Sequence, residues 1–230
     1  MPGLYYFDPL YIILVFPAII LTMYAQSKVN STFNKYLKVR SIRGYTGAET
    51  AKALLQYAGI YDVKIEMIPG QLTDHYDPRS KTLRLSSAVY NGQSIASLGV
   101  AAHEVGHAIQ HHRGYVFLVL RNSIVPIVNI GSRMAMPLIM LGLLFSYTLI
   151  EVGILLFAGV VLFQIITLPV ELNASGRAIK ILEAQGFLAD NEIGSAKKVL
   201  NAAALTYVAS AAVAVANLLH LLLRFGGRDD

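Results

Sequence analysis

Nineteen residues, Val152 to Val170, carry no charged side chain. Such a run is long enough to cross the ~30 Å hydrocarbon core of a bilayer as a helix. In lipid every backbone N–H and C=O must be satisfied inside its own element, and a helix is the simplest way to do that. Other long apolar stretches run from Tyr5 to Ala25, with Asp8 near its outer end, from residue 134 to 150 and from Ala202 to Leu223. Hydrophobic residues make up 55% of the chain and charged residues 14%, too few charges for an ordinary soluble domain. The sequence therefore predicts a mainly α, multi-span membrane protein with about four transmembrane helices.

The first stretch lacks a basic lead and a small-x-small cleavage site, and its tail reads Met23-Tyr24-Ala25, so it is expected to stay attached as an anchor. Lys28, Lys35, Lys38, Arg40 and Arg43 follow at once and place that end on the cytoplasmic side, with the N-terminus outside. Much of the net charge of +5 lies in this membrane-proximal loop, so it does not point to nucleic acid. There is no Cys, which excludes disulfides and thiolate ligands. Arg133 divides the apolar region after residue 115: residues 115–132 read as an interfacial segment and 134–150 as a crossing. Arg224 and Arg228 oppose the orientation that the first loop sets.

Between the first and second apolar regions lies a soluble body. Thr46-Gly-Ala-Glu49 has the pattern of a capping box opening a helix, which Gly59 is placed to end. Asp62 to Ile68 alternates with period two and reads as a strand. His75 to Ser80 reads as a turn, and Lys81 to Ser86 as a second strand whose Lys81 and Arg84 suit a sheet edge that could accept an extended peptide. Ser94 to Gly114 then carries AAHEVGHAIQHH.

His103 and His107 stand four apart, so on a helix they share one face and can reach a single ion. Glu104 is rotated about 100° from them, beside the ion, where a carboxylate can take a proton from an activated water. This is HExxH, and zinc is the expected ion. A catalytic zinc takes three protein ligands and one open position. The two crossings after the motif return the chain to the same face, and the first charged residue on arrival is Glu171, the candidate third ligand. Its helix is expected to begin there and close at Gly186. His111 continues the 103/107 face and is an alternative, while Arg113 stands where a longer motif would carry a third His. His75, Tyr76, Tyr90 and Arg177 are candidate contacts to the substrate or the developing oxyanion, each also readable as a turn or surface residue.

The blocks LTDHYDPRSKTLRLS, SIASLGVAAHEVGHAIQHHRGY, VPIVNIGS and LPVELNASGRA together resemble the YugP-like family of bacterial membrane zinc metallopeptidases, over nearly the whole chain. More distantly the chain is similar to gluzincins of the HtpX and CAAX-prenyl-protease type, whose E-x-x-A-D motif is matched by Glu171 and Ala174. Ser175 stands where that wider group has Asp, which leaves open what holds the metal-binding imidazole. The resemblance implies His103, His107 and Glu171 as zinc ligands and Glu104 as catalytic base.

The expected organisation is an anchor (1–25), a catalytic part (26–114) that is zincin-like, α+β and cytosol-facing with a short antiparallel sheet, an interfacial segment with a transmembrane hairpin (115–170), a third-ligand helix (171–201) and a last span (202–230). The expected function is a membrane-anchored zinc endopeptidase of a bacterial cell membrane, acting on protein or peptide substrates that include membrane-associated ones. A non-catalytic zinc-stabilised membrane scaffold is the alternative. It is disfavoured because a structural site needs no base and usually fills its fourth position with protein.

Overall fold

The computed structural model describes residues 8–226, so the calls on Tyr5 to Phe7 and on Arg228 lie outside the described residues. Its described residues fall into two compact units. Among the described residues, four helices are long and apolar enough to span a membrane: α1 (Pro9–Leu37), α5 (Val116–Leu144), α6 (Tyr147–Ala184) and α7 (Asp190–Phe225). Between α1 and α5 lie α2 (Gly47–Tyr57), β1 (Lys64–Ile68), β2 (His75–Asp77), β3 (Thr82–Ser86), α3 (Ser87–Tyr90) and α4 (Ile95–His112).

One unit comprises residues 8–26, 120–168 and 206–226, the apolar lengths of the four long helices. Large apolar side chains such as Ile13, Met140, Leu144 and Leu155 project outward, as expected of surfaces solvated by lipid rather than water. Two residues separate α5 from α6, so the two helices fold back on each other. They approach closely where a Cβ on Gly153 would come within 2.8 Å of the Ala135 carbonyl oxygen. Ile139, Ile150, Leu221 and Phe225 form the unit's buried cluster, and the Tyr147 hydroxyl donates to the Phe225 carbonyl. Arg224 and His220 both reach Asp8 Oδ2 at 2.8 Å, so the arginine that opposed the charge asymmetry has a carboxylate partner in its own unit. Arg133 interrupts nothing: it is an exposed residue inside the continuous α5, and residues 115–132 form no separate element.

The other unit holds residues 27–119 and 169–205. The capping box is present as the sequence predicts, with Glu49 N–H donating to Thr46 Oγ1 and Thr46 N–H to Glu49 Oε2. Such a cap stabilises a helix by about 1 kcal/mol. Gly59, at φ +74°, ends α2 in the conformation a Cβ would strain. The core runs from Phe33 through Leu54, Leu83, Leu85 and Leu98 to Val105, Leu182 and Val199, with α4 buried along most of its length.

The sheet departs from expectation. Its order is β1-β3-β2, with β1 parallel and β2 antiparallel to β3, so it is mixed rather than antiparallel. The segment expected as a turn supplies strand β2, and β3 is central rather than an edge. Leu83 and Leu85, on one face of β3, are wholly covered by the core, and both of its edges are paired. Arg84 is not an edge guard but a cross-strand clasp, 3.3 Å from Glu66 on β1 and 3.4 Å from Asp77 on β2.

Asp77 also accepts from the Ser80 hydroxyl and, less strongly, from Arg79 N–H, and these bonds hold its carboxyl down at about 2 from the ordinary 3.8. Because the folded value is the lower one, the stabilisation is complete above pH ~4 and is lost as pH falls from there toward 2. Asp77→Asn is expected to flatten that part of the acid-unfolding curve, measured by tyrosine fluorescence in detergent, and to lower stability above pH ~5 by an amount that does not change with pH.

Candidate metal centre

The motif lies on α4, whose first turn is capped by Ser94 Oγ accepting from Ser97 N–H. The i, i+4 spacing brings the two imidazoles to a centroid separation of 4.7 Å, nearly perpendicular at 86°. Glu171 does not start a helix; it lies well inside the 38-residue α6, which runs on through Pro169. Gly106 permits the close approach of α4 to α6, for a Cβ there would come within 2.7 Å of the Ala174 carbonyl oxygen.

That approach gathers His103, His107 and Glu171, whose candidate ligand atoms all lie within 4.8 Å of one another. Glu171 Oε2 stands 3.3 Å from His103 Nε2 and 3.4 Å from His107 Nε2. A charge-assisted hydrogen bond would be about 2.7–2.9 Å. Ligands on arms of ~2.05 Å at tetrahedral angles are about 3.3 Å apart, so the spacing is that of a zinc coordination edge.

The tautomers point the same way. Gln110 Nε2 donates to the Val170 carbonyl at 2.8 Å and to Asn173 Oδ1 at 3.0 Å. Its Oε1 can only accept, so His107 Nδ1, 3.0 Å away, must be the donor. A neutral His107 therefore presents a bare Nε2 lone pair to a carboxylate oxygen, an arrangement that a cation between them resolves. His103 Nδ1 pairs with Ser175 Oγ at 3.0 Å, so a hydroxyl holds this imidazole. The donor set thus fits zinc in type, number and separation.

Glu104 is buried, and burial together with the charges of Glu171 and Asp74 pushes its carboxyl up to about 7; His103 and the Tyr76 backbone N–H oppose the rise. A carboxyl held near neutrality is suited to taking and returning a proton, and a bound cation would favour its ionised form.

The other sequence candidates are placed differently. Tyr76 lies on β2, an edge strand that packs on α4. Its hydroxyl meets His111 Nδ1 at 2.9 Å, and burial with nearby aspartates pushes the phenol up to about 12, which keeps it protonated. His75 is exposed and bonds to the Thr73 carbonyl, while Tyr90 packs on the core. Arg177 Nε donates to Asn173 Oδ1 at 2.7 Å, which links it through Gln110 to His107. Sequence reading passed over Gln110 and Asn173, although Gln110 lies three residues after His107, on its helical face.

Residues 11–226 match a family model described as "Putative neutral zinc metallopeptidase", and the chain belongs to that family of zinc metallopeptidases. Zinc is accordingly its cofactor, and His103, His107 and Glu171 form a cluster able to hold it. Among individual proteins, the chain is 52% identical over 224 residues to "Putative membrane protease YugP" of Bacillus subtilis (strain 168), covering 96% of this chain and 99% of that protein. No solved structure matches.

Proposed function

We propose that the protein is a membrane-anchored zinc endopeptidase in which His103, His107 and Glu171 hold the metal and Glu104 is the general base. The observation that carries this reading is the convergence of two imidazole Nε2 atoms on one Glu171 oxygen at 3.3 and 3.4 Å, beside a buried carboxyl raised to about 7. Zinc held there supplies the Lewis acidity that polarises a carbonyl and makes water nucleophilic near neutral pH. Glu104 takes a proton from the attacking water on its carboxylate and delivers it to the departing amine nitrogen. Gln110 and Ser175 fix the two imidazoles so that each Nε2 faces the site. Arg177, bonded to Asn173, steadies the far side of Gln110.

Among the four suggested substrate contacts, Tyr76 has the best support, because its strand packs on the motif helix and its N–H bonds Glu104. The strand β2 is the sheet edge nearest the motif, so an extended peptide aligned there would run past Glu104. A zincin-like arrangement of motif helix and sheet, the wider likeness to gluzincins of the HtpX type and a cytoplasm-facing site are parts of the same reading. Lys28, Lys35, Lys38, Arg40 and Arg43 support the orientation.

The test is cleavage of unfolded casein by the purified full chain. Turnover should disappear with a chelator and return with zinc. Glu104→Gln should lower it by about 10²–10⁴-fold while zinc content stays at the wild-type level. Zinc-loaded wild type that cleaves no peptide, or a Glu104→Gln protein that cleaves normally, would reject the assignment; the first result would favour the scaffold.

A further inference from the structure

An open groove of about 450 Å³ lies between the polar end of α1 and the first turns of α7, away from the metal cluster. Lys28, Thr32 and Lys35 line one wall at spacings of four and three, a single stripe on α1. Lys198 and Asn201 face them from α7, and the buried Tyr36 completes the polar lining. No carboxylate lines the groove among the described residues, and none of the three lysines has an ion-pair partner there. Three like charges around one concavity give it a positive potential that attracts an anion.

The position along each helix says which anion. In α1 the chain is apolar up to Ala25 and turns basic at Lys28; in α7 it is basic at Lys198 and turns apolar from Ala202. Ala202 and Leu205 give the groove an apolar end on the side where α7 becomes membrane-spanning. A ligand matched to both ends carries a phosphate at the level of the lysines and acyl chains beyond it. A free phosphate or nucleotide would have no use for the apolar end.

We propose that this groove is a binding site for the phosphodiester headgroup of an anionic phospholipid, held by Lys28, Lys35 and Lys198. The Thr32 hydroxyl and the Asn201 amide are further donors to phosphate oxygens. The site is independent of the peptidase reading and would stand if that reading failed.

The full chain in detergent, titrated with dioleoyl phosphatidylglycerol or dioleoyl phosphatidylcholine and read by native mass spectrometry, tests it. Wild type should retain phosphatidylglycerol in preference. Lys28→Gln/Lys35→Gln/Lys198→Gln should weaken that retention on the order of a hundredfold, since each lysine near an anionic lipid contributes about a factor of five. A control removing the same charge elsewhere, Lys38→Gln/Lys52→Gln/Lys64→Gln, should retain the lipid as wild type does. Equal retention of phosphatidylcholine, equal loss in the control, or unchanged retention in the groove variant would each overturn the proposal. Displacement of the lipid by millimolar inorganic phosphate would overturn the lipid assignment in favour of a soluble phosphate.

Discussion

Glu171→Ala protein is expected to purify without zinc and without peptidase activity, whereas Glu104→Gln keeps its metal and loses turnover alone. Glu171 Oε2 is the atom on which both imidazoles converge, so on the proposed assignment its removal takes away one of three ligands and the anionic one. Losing an outer partner of a ligand typically costs 10–100-fold in metal affinity, and losing the ligand itself should cost more than that. Glu104 is not one of the clustered residues, and Gln keeps its volume while removing the ionisable carboxyl to which the proposal gives the proton. Zinc per protein by elemental analysis, set beside casein turnover, separates the two variants. A Glu171→Ala protein with wild-type zinc and turnover would place the third ligand elsewhere and remove the reason for linking α6 to the chemistry.

What could be read in the sequence was what local periodicity encodes. The four apolar stretches, the Thr46/Glu49 box and the one-face pairing of His103 with His107 each depend on residues within one element, and each is found in the structure. Strand order was not legible, because pairing is set by non-local burial: Lys81 and Arg84 look like edge residues until Glu66 and Asp77 are seen on either side of β3. The start of the Glu171 helix was misplaced for a related reason. Pro169 and the change from apolar to polar suggest a boundary, yet α6 continues through both. A proline removes one helical hydrogen bond, which packing of the surrounding turns can outweigh. The roles of Gln110 and Ser175 needed the approach of α4 to α6 to appear at all. Ser175, read at first as a missing carboxylate, supplies an oxygen at hydrogen-bond distance from the same imidazole.

Gly106→Ala is expected to damage the metal centre without touching a ligand, and Gly99→Ala on the same helix is not. The added Cβ at residue 106 would lie 2.7 Å from the Ala174 carbonyl oxygen and 3.2 Å from its Cα, both backbone atoms that cannot rotate aside. Relief requires α6 to move, and Glu171 and Ser175 sit three residues before and one residue after Ala174. A shift of a few tenths of an ångström would stretch the 3.0 Å bond between His103 and Ser175 as well as the coordination edges. Overpacking of this kind costs about 1–3 kcal/mol in stability. Misdirected ligands should lower zinc affinity by about the 10–100-fold seen when outer partners are lost. At residue 99 the nearest atom to an added Cβ is Ala196 Cβ at 3.9 Å, an ordinary contact. There the gain in helix propensity is up to about 1 kcal/mol, and zinc affinity should not change. Zinc titration of the two stripped proteins, with thermal unfolding of each, measures both effects. Wild-type zinc affinity in Gly106→Ala would show that the spacing of α4 and α6 does not set the site, and that its geometry is held within α4 and the sheet instead.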